Sequence, residues 1–598
     1  MRHSAAALAA ACMVASGALL AACGGGSKGS DTVSVDAKAN ATLNPDAKRG
    51  GKVTFLAAAD VDYIDPGLDY YQFGQQVQAA INRTLYAYRP DDSTKPIPDL
   101  AAGPPEISGD RRTVTVRIRR GVFFSPPVNR EVKAADVKYA FERAFSKNVP
   151  NGYTATYFGD IAGAPAKPNS GPYRPISGIQ TPDDTTIVFH FRHATGVLAA
   201  AAMVMPITSP VPKEYARQFD EKVPSTYDKH VAFTGPYMVR NDDKGNLVGR
   251  KPGQVIELVR NPRWNAKTDF RPAYLDQITI QEGNTDLAVA ARRALSGSGQ
   301  MCCDSGTPPS QVLKEALSRY KDQVTFIPAG NTRWISMNTE VKPFDNINVR
   351  KAVIAAVDRT ALLKTIGGDT VGTVATGYIP PGIPGFQEAG GVKQNSDLDF
   401  VANPRGDLEV AKRYMLKAKA QGVPVTADGR YAGKEDVLVV AVNADPGKRT
   451  AEVAADQISK LGFKLKVRNV PTDTMYTKFC EVRSAKVPIC PNVGFGKDFA
   501  DPQAVLDATF NGSRINQPIT SNYSMLDDDA IDAAMARATT SAGEERNRAW
   551  AKVNHMISEQ APAIPWVWDK YALIRSKDVV GVPNAFFNGW DFSFSSMR

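Results

Sequence analysis

The sequence predicts a mixed α/β fold, and three observations support that prediction. Patterns typical of strands and helices alternate from about Lys52 to the C-terminus. No segment repeats with a period of about 20 to 50 residues, which argues against a solenoid or a propeller. The 598 residues are 43% hydrophobic and 22% charged, a composition typical of folded domains rather than of a disordered stalk. A chain of this length is expected to form two or three lobes.

The N-terminal segment resembles a bacterial lipoprotein signal. Arg2 precedes an apolar, alanine-rich run over residues 5–22, which is short for a permanent membrane span. The run leads into Leu20-Ala21-Ala22-Cys23-Gly24, which resembles a lipobox. We therefore expect residues 1–22 to be removed as a signal peptide and Cys23 to carry a lipid. The mature protein would then be extracytoplasmic and anchored to the cell membrane. The alternative is an N-terminal anchor helix with a chance cysteine.

Residues 23–50 are rich in Gly, Ser, Asp and Lys, which predicts a flexible, lipidated linker. The net charge of the whole chain is +10, and it becomes +9 when Arg2 leaves with the signal, because residues 1–22 contain no other Lys, Arg, Asp or Glu. This positive net charge is compatible with attraction to an anionic envelope surface. The sequence has neither a block of five or six basic residues nor a basic stripe interleaved with aromatic residues, so nucleic acid is not an expected partner.

Three elements follow from periodicity. Residues 113–119 alternate apolar and polar side chains, which predicts a half-buried strand. Apolar residues at i, i+3, i+4, i+7 and i+8 predict helices over 137–145 and 349–357. Asp527, Asp528 and Asp529 are expected to start a helix, where carboxylates favour the helix dipole, rather than to bind a metal ion.

The cysteines indicate disulfide bonds. Apart from the lipidated Cys23, the mature chain would contain four cysteines in an oxidising compartment: Cys302, Cys303, Cys480 and Cys490. Four thiols permit three pairings. We favour Cys480 with Cys490, which closes a short loop, so that Cys302 and Cys303 form a vicinal disulfide or stay reduced. No CxxC pair or neighbouring histidine supports a zinc site.

Short motifs recur along the chain in an order typical of one family. They include Arg117-Ile118-Arg119-Arg120-Gly121-Val122-Phe123-Phe124-Ser125, Tyr63-Ile64-Asp65-Pro66, Pro98-Asp99-Leu100-Ala101, Thr234-Gly235-Pro236-Tyr237 and the segments 132–143, 260–264, 343–345 and 349–352. Together they resemble family 5 of the extracellular solute-binding proteins, the peptide and nickel binders of ABC importers. The resemblance extends from about residue 52 to residue 568.

The resemblance implies a two-lobe fold like that of periplasmic binding proteins of class II, with mixed sheets, flanking helices and an extra subdomain. Lobe I would span residues 51–325, including the subdomain at about 91–230, and lobe II residues 326–565. Residues 566–598 would return to lobe I. The chain would cross between the lobes near residues 326–335 and 561–568, and the ligand would be trapped between them.

One segment offers a ligand contact. Phe495-Gly496-Lys497-Asp498-Phe499-Ala500-Asp501-Pro502 resembles a family motif, and the resemblance implies that Asp498 binds the ligand's amino terminus, with Phe495 at the aromatic position. A charge-assisted contact is stronger in a dry cleft than in water. Alternatively, Asp498 caps a helix or bonds a loop. Asp501 is expected to shape the turn before Pro502.

Aromatic residues supply a second candidate contact with the ligand. Tyr70 and Tyr71 lie on a predicted loop before a helix, where aromatic rings could cover a peptide backbone. Alternatively, Tyr71 and Phe73 pack against the base of that helix.

These observations predict a non-enzymatic lipoprotein, a monomer without cofactor or metal. It would capture peptides, favouring oligopeptides, and deliver them to an ABC permease and ATPase complex in the membrane. The Gly-x-Ser-x-Gly match at residues 25–29 lies in the linker without the strand and helix of a nucleophile elbow, and HExxH does not occur. The alternatives are an envelope sensor or regulator of the same fold, or a receptor for a nickel chelate, haem or an oligosaccharide.

Overall fold

The computed structural model describes residues 41–44, 46–304, 307–516 and 520–598. The predicted signal peptide at residues 1–22, the lipidation site Cys23 and the predicted linker up to residue 40 lie outside the described residues. The end of that linker packs on the folded body, because Ala41 is buried beside Val582 and Phe594. The backbone N–H of Gly50 donates to the carbonyl of Tyr274 at 2.8 Å. The packed part of the chain therefore begins before the predicted boundary at residue 51.

Strands and helices alternate along the described chain, which confirms the predicted α/β class. The strands are β1 Lys52–Leu56, β2 Tyr86–Arg89, β3 Asp92–Pro98, β4 Glu106–Ile107, β5 Thr113–Arg117, β6 Ile179–Asp183, β7 Thr186–His190, β8 Tyr237–Val239, β9 Arg250–Lys251, β10 Val255–Arg260, β11 Gln277–Gln281, β12 Gln300–Cys302, β13 Val324–Met337, β14 Gly372–Thr373, β15 Asp436–Val442, β16 Lys464–Val470, β17 Ile489–Gly496, β18 Ala563–Arg575, β19 Val579–Val580, β20 Pro583–Asn584, β21 Gly589–Trp590 and β22 Ser596–Met597.

The α-helices are α1 Gln72–Ile81, α2 Ala134–Ala144, α3 Gly196–Ala202, α4 Lys213–Asp220, α5 Leu287–Ser296, α6 Ser310–Arg319, α7 Ile347–Ala356, α8 Arg359–Ile366, α9 Asp399–Ala402, α10 Leu408–Ala420, α11 Gly447–Ser459, α12 Thr472–Met475, α13 Gln503–Phe510, α14 Asp529–Thr540 and α15 Gly543–Gln560. The turns Thr154–Phe158 and Tyr476–Cys480 are π-helical.

A large mixed sheet contains strands from both ends of the described chain, in the order β16-β15-β17-β13-β18-β12-β1-β11-β10-β8. At its centre the long strands β13 and β18 pair antiparallel, from Val324 opposite Ile574 to Ser336 opposite Ala563. Nearly every residue of β18 is buried, as expected for a strand covered on both faces. The predicted crossings at residues 326–335 and 561–568 fall on these two strands or at their ends. The division into lobes at residues 325 and 565 stays a prediction.

A second sheet, in the order β4-β5-β7-β6, lies within the predicted subdomain at about 91–230. It contains β5, which confirms the strand predicted over 113–119. Val114 and Val116 are fully buried there, and they lie opposite Phe189 and Ile187 of β7. These apolar pairs place the buried face of the sheet in the subdomain core.

The two predicted helices are also confirmed. Helix α2 buries Val137 and Phe141 completely, and helix α7 does the same with Val349 and Val353. Helix α14 begins at Asp529, within the run of carboxylates that predicted a helix start. The side chain of Asp528 accepts hydrogen bonds from the backbone N–H groups of the first turn. Such a cap contributes about 1 kcal/mol to stability.

Buried ion pairs fix the loop that precedes α1. Arg143 of α2 donates to both carboxylate oxygens of Asp65, at 2.8 and 2.7 Å, and also binds Asp220. Breaking a buried pair costs about 3–5 kcal/mol, because it leaves one charge without a partner. The loop from Asp65 to Tyr71 is therefore held firmly at its start.

Disulfides join Cys480 to Cys490 and Cys302 to Cys303. The first connects the turn Tyr476–Cys480 to β17, and the second lies at the end of β12. Within the described ranges, no group of three or more His, Cys, Asp or Glu side chains is arranged to hold a metal ion. None of the helices in the part of the chain that the structure describes combines the length and apolar character needed to cross a membrane.

Candidate ligand-binding site

A cavity of about 890 Å³ lies between the loop before α1 and the segments around β17. All four predicted ligand-binding residues, Tyr70, Tyr71, Phe495 and Asp498, line this cavity. The structure thus brings together two motifs that are far apart in the sequence. The volume lies in the range of about 300–1,000 Å³ that is usual for ligand sites, so the cavity has room for a molecule of several residues.

Tyrosine side chains form one wall of the cavity. The ring of Tyr70 stacks on that of Tyr153 with centroids 5.0 Å apart and meets the edge of Tyr71 at 5.7 Å. The Tyr153 hydroxyl donates to the carbonyl of Tyr70 at 2.6 Å, which ties the loop to the turn that carries Tyr157. Tyr71 is 65% exposed, whereas Phe73 is buried. Core packing, the alternative that the sequence left open, therefore describes Phe73 but not Tyr71.

Asp498 lies on the opposite wall, two residues after the end of β17. Its side chain is half-buried and accepts a hydrogen bond from the hydroxyl of Tyr157. Within the described residues, no Lys, Arg or His forms a salt bridge with Asp498. Burial raises the pKa of its carboxyl to about 7, and the bond from Tyr157 only partly offsets that effect. Asp498 is thus an acid that the described part of the protein does not neutralise.

The charged neighbours of Asp498 have other partners. The Lys497 ammonium is buried and donates to the carbonyl of Ala585 at 2.7 Å, and burial lowers its pKa to about 7. Asp501 binds Arg546 at 2.7 Å and accepts a hydrogen bond from the backbone of Gln503 at 2.8 Å. Asp501 therefore shapes the start of α13, in agreement with its predicted role in the turn.

Several lining residues were not predicted from the sequence. Glu481, Tyr476 and Tyr523 contribute to the wall that carries Asp498. Arg514 also lines the cavity, and its guanidinium binds the carboxylate of Asp507 at 2.5 Å. The only signal for Glu481 in the sequence was its position beside Cys480, and nothing in the periodicity indicated Arg514.

The fold and the aromatic-lined cavity are those of a solute-binding protein. The family model of the bacterial extracellular solute-binding proteins, family 5, matches residues 95–517. This span is more than half of the chain, and the chain belongs to that family. The resemblance inferred from the short motifs is therefore confirmed.

Relatives and solved structures agree with this assignment. Oligopeptide-binding protein OppA of Bacillus subtilis is 25% identical over 328 residues, and the match spans 54%, about half, of each chain. Heme-binding protein A of Haemophilus influenzae is 25% identical over 77% of each chain. The structure of clavulanic acid biosynthesis oligopeptide binding protein 2 has a TM-score of 0.80 at 25% identity, covering 94% of this chain and 98% of that one. The two-lobe α/β fold class is thereby confirmed.

Proposed function

We propose that this protein captures short peptides in the cavity and delivers them to the permease and ATPase of an ABC importer. The observation that carries the proposal is the Asp498 carboxylate, which faces the cavity without a cationic partner among the described residues. The α-ammonium of a peptide supplies the missing charge. Peptide-binding relatives of similar length support this choice of ligand.

The rest of the cavity suits a ligand whose sequence varies. Tyr70, Tyr71 and Phe495 present aromatic surfaces, which contact peptide backbone and side chains without demanding one sequence. An ammonium would pair with Asp498 at a half-buried position, where the interaction is stronger than in bulk water. In this proposal the charged amino terminus of the peptide provides affinity, and the aromatic rings of the cavity allow the peptide sequence to vary.

Delivery requires a tether and a moving clamp. In our proposal the lipid on Cys23 holds the protein, as a monomer, at the outer face of the cell membrane. Lobe I at 51–325 with its return at 566–598 closes against lobe II at 326–565, and strands β13 and β18 serve as the hinge. Closure over a peptide gives the permease a way to distinguish the loaded protein from the empty one.

The test is the substitution Asp498→Asn, with binding of Ala-Ala-Ala measured by isothermal titration calorimetry. We expect the variant to lose about 2–5 kcal/mol of affinity, the cost of breaking a buried charged pair. Acetylating the peptide's amino terminus should weaken binding to the wild type and have little further effect on the variant. Asp243→Asn, an exposed position that does not line the cavity, is the matched control.

Unchanged affinity in Asp498→Asn would contradict the assignment of this residue. Native mass spectrometry of the protein purified from cells tests the ligand class separately. A retained mass that corresponds to a porphyrin instead of a peptide would favour the haem alternative suggested by the Haemophilus influenzae relative.

A further inference from the structure

We propose that Glu481 forms a second anionic subsite, which selects peptides carrying a lysine or arginine side chain. This inference rests on the proposed function, since it assigns a preference within the same cavity. Asp498 would hold the amino terminus, and Glu481 would hold a second positive charge further along the peptide.

The position of Glu481 is fixed by its backbone. Its N–H donates to the carbonyl of Tyr476 at 3.1 Å, and its carbonyl accepts from the N–H of Thr520 at 3.0 Å. The preceding residue, Cys480, is held by the disulfide to Cys490. The side chain of Glu481 therefore starts from a rigid part of the cavity wall, which is what a selective contact needs.

The side chain of Glu481 has no partner among the residues that the structure describes. It lines the cavity and is half-buried, and no described residue forms a salt bridge or a hydrogen bond with its carboxylate. Burial alone raises the pKa of this carboxyl to about 7. Removing a carboxylate from water without a counter-ion is unfavourable, because its charged form loses the stabilisation that water provides. A cationic group that enters the cavity would stabilise that charged form again.

The charges that line the cavity favour a ligand with two positive groups. Among the described lining residues, Asp498 and Glu481 are the acids and Arg514 is the base. Asp507 already neutralises Arg514 through a contact of 2.5 Å. The described lining therefore presents two carboxylates without a counter-ion to the ligand, which is one more than the amino terminus of a peptide can neutralise.

Aromatic rings beside Glu481 fit the same kind of ligand. After burial, the negative charge of Glu481 is a further cause that raises the pKa of Tyr476, Tyr523 and Tyr70, so these three rings lie near its carboxylate. A lysine or arginine side chain can lie with its apolar stem along such rings and its charged end at the carboxylate.

The experiment uses calorimetry to compare Ala-Lys-Ala and Ala-Ala-Lys with Ala-Nle-Ala and Ala-Ala-Nle, where Nle is norleucine, the uncharged analogue that lacks the ammonium group of lysine. The wild type should bind at least one lysine peptide about tenfold or more tightly than its norleucine analogue. Glu481→Gln should abolish that preference and leave the affinity for the norleucine peptides within about twofold. Glu481→Asp, which keeps the charge, should retain part of the preference. Glu435→Gln, an exposed position that does not line this cavity, is the matched control.

The outcomes separate this inference from the proposed function. Equal binding of the lysine and norleucine peptides by the wild type, with affinity lost in Asp498→Asn, would overturn the Glu481 subsite alone. A lysine preference that persists in Glu481→Gln would do the same. Failure of the wild type to bind any of the four peptides would overturn the peptide assignment and the subsite together.

Discussion

Lys497, Asp498 and Asp501 lie in one short segment but have different surroundings. Lys497 donates to the carbonyl of Ala585, and Asp501 binds Arg546, so both side chains bond to groups of the fold itself. Asp498 faces the cavity, where the fold provides a hydroxyl but no counter-ion among the described residues. The motif identified this segment from the sequence alone. It could not assign a partner to each charge, because Arg546 and Ala585 come from distant parts of the chain.

The environment of Asp498 predicts a conflict between stability and binding. Because burial raises its pKa from 3.8 to about 7, the unfolded chain ionises at lower pH than the folded protein. Below about pH 3.8 the carboxyl is protonated in both states, and its contribution to stability is fully present. That contribution is lost as the pH rises through about 7, because the folded protein then holds a buried charge. Asp498→Asn should raise the free energy of unfolding of the empty protein by about 1–2 kcal/mol near pH 8. The gain is no larger because the side chain of Asp498 is only half-buried, so water screens part of its charge.

Urea denaturation at about pH 5 and about pH 8 measures this effect, and the gain should be smaller at the lower pH. Asp243→Asn, at an exposed site, should change little at either pH. If Asp498→Asn were no more stable than the wild type at the higher pH, the carboxylate would have a stabilising partner in the empty protein.

A π-helical turn and a strand build one wall of the cavity. The turn Tyr476–Cys480 carries Tyr476 and leads directly into Glu481, and β17 carries Phe495. The disulfide between Cys480 and Cys490 connects these two elements. The covalent bond thus sets the distance between the side chains that each element contributes.

Replacing Cys480 and Cys490 together by Ser should affect both folding and binding. Loss of the disulfide that closes this short loop is expected to lower the free energy of unfolding by about 2–3 kcal/mol. Peptide affinity should fall as well, because Tyr476 and Glu481 lose their fixed position relative to β17. Denaturant titration and calorimetry measure the two effects.

The pair Cys302→Ser with Cys303→Ser serves as the control for this prediction. These cysteines do not line the cavity, so peptide affinity should stay unchanged whatever happens to stability. If the Cys480 and Cys490 double variant bound peptide as tightly as the wild type, the disulfide would have no part in positioning the cavity wall.

Elements with a strong apolar period were predictable, whereas the residues between elements were not. Strand β5 and helices α2 and α7 follow directly from local patterns, since one face of each packs in a core. Glu481 lies in a turn and Arg514 ends the short 3-10 turn Gly512–Arg514, and segments this short have no apolar periodicity from which their side chains could be placed. The sequence therefore located Tyr70, Tyr71, Phe495 and Asp498, and only the folded structure showed the rest of the lining.

The central strands of the large sheet connect the parts of the chain that line the cavity. Strands β13 and β18 lie between β17 on one side and β12 on the other in the sheet order. Tyr157, from the predicted lobe I, donates to Asp498, from the predicted lobe II. In the proposed clamp this hydrogen bond exists only when the lobes are close together. It therefore contributes to the balance between open and closed forms before any peptide binds.

Tyr157→Phe should shift the empty protein toward the open form. A hydrogen bond to a charged group contributes about 1.5–3 kcal/mol, enough to change the populations of two states of similar energy. Small-angle X-ray scattering should give a larger radius of gyration for the empty variant than for the empty wild type. Saturating Ala-Ala-Ala should bring both proteins to the same smaller radius, because the peptide binds the closed form more tightly. Tyr86→Phe removes a hydroxyl that bonds to Gly103 within the predicted lobe I, so it should leave both radii unchanged. Equal radii for the two empty proteins would show that the bond between Tyr157 and Asp498 does not control closure.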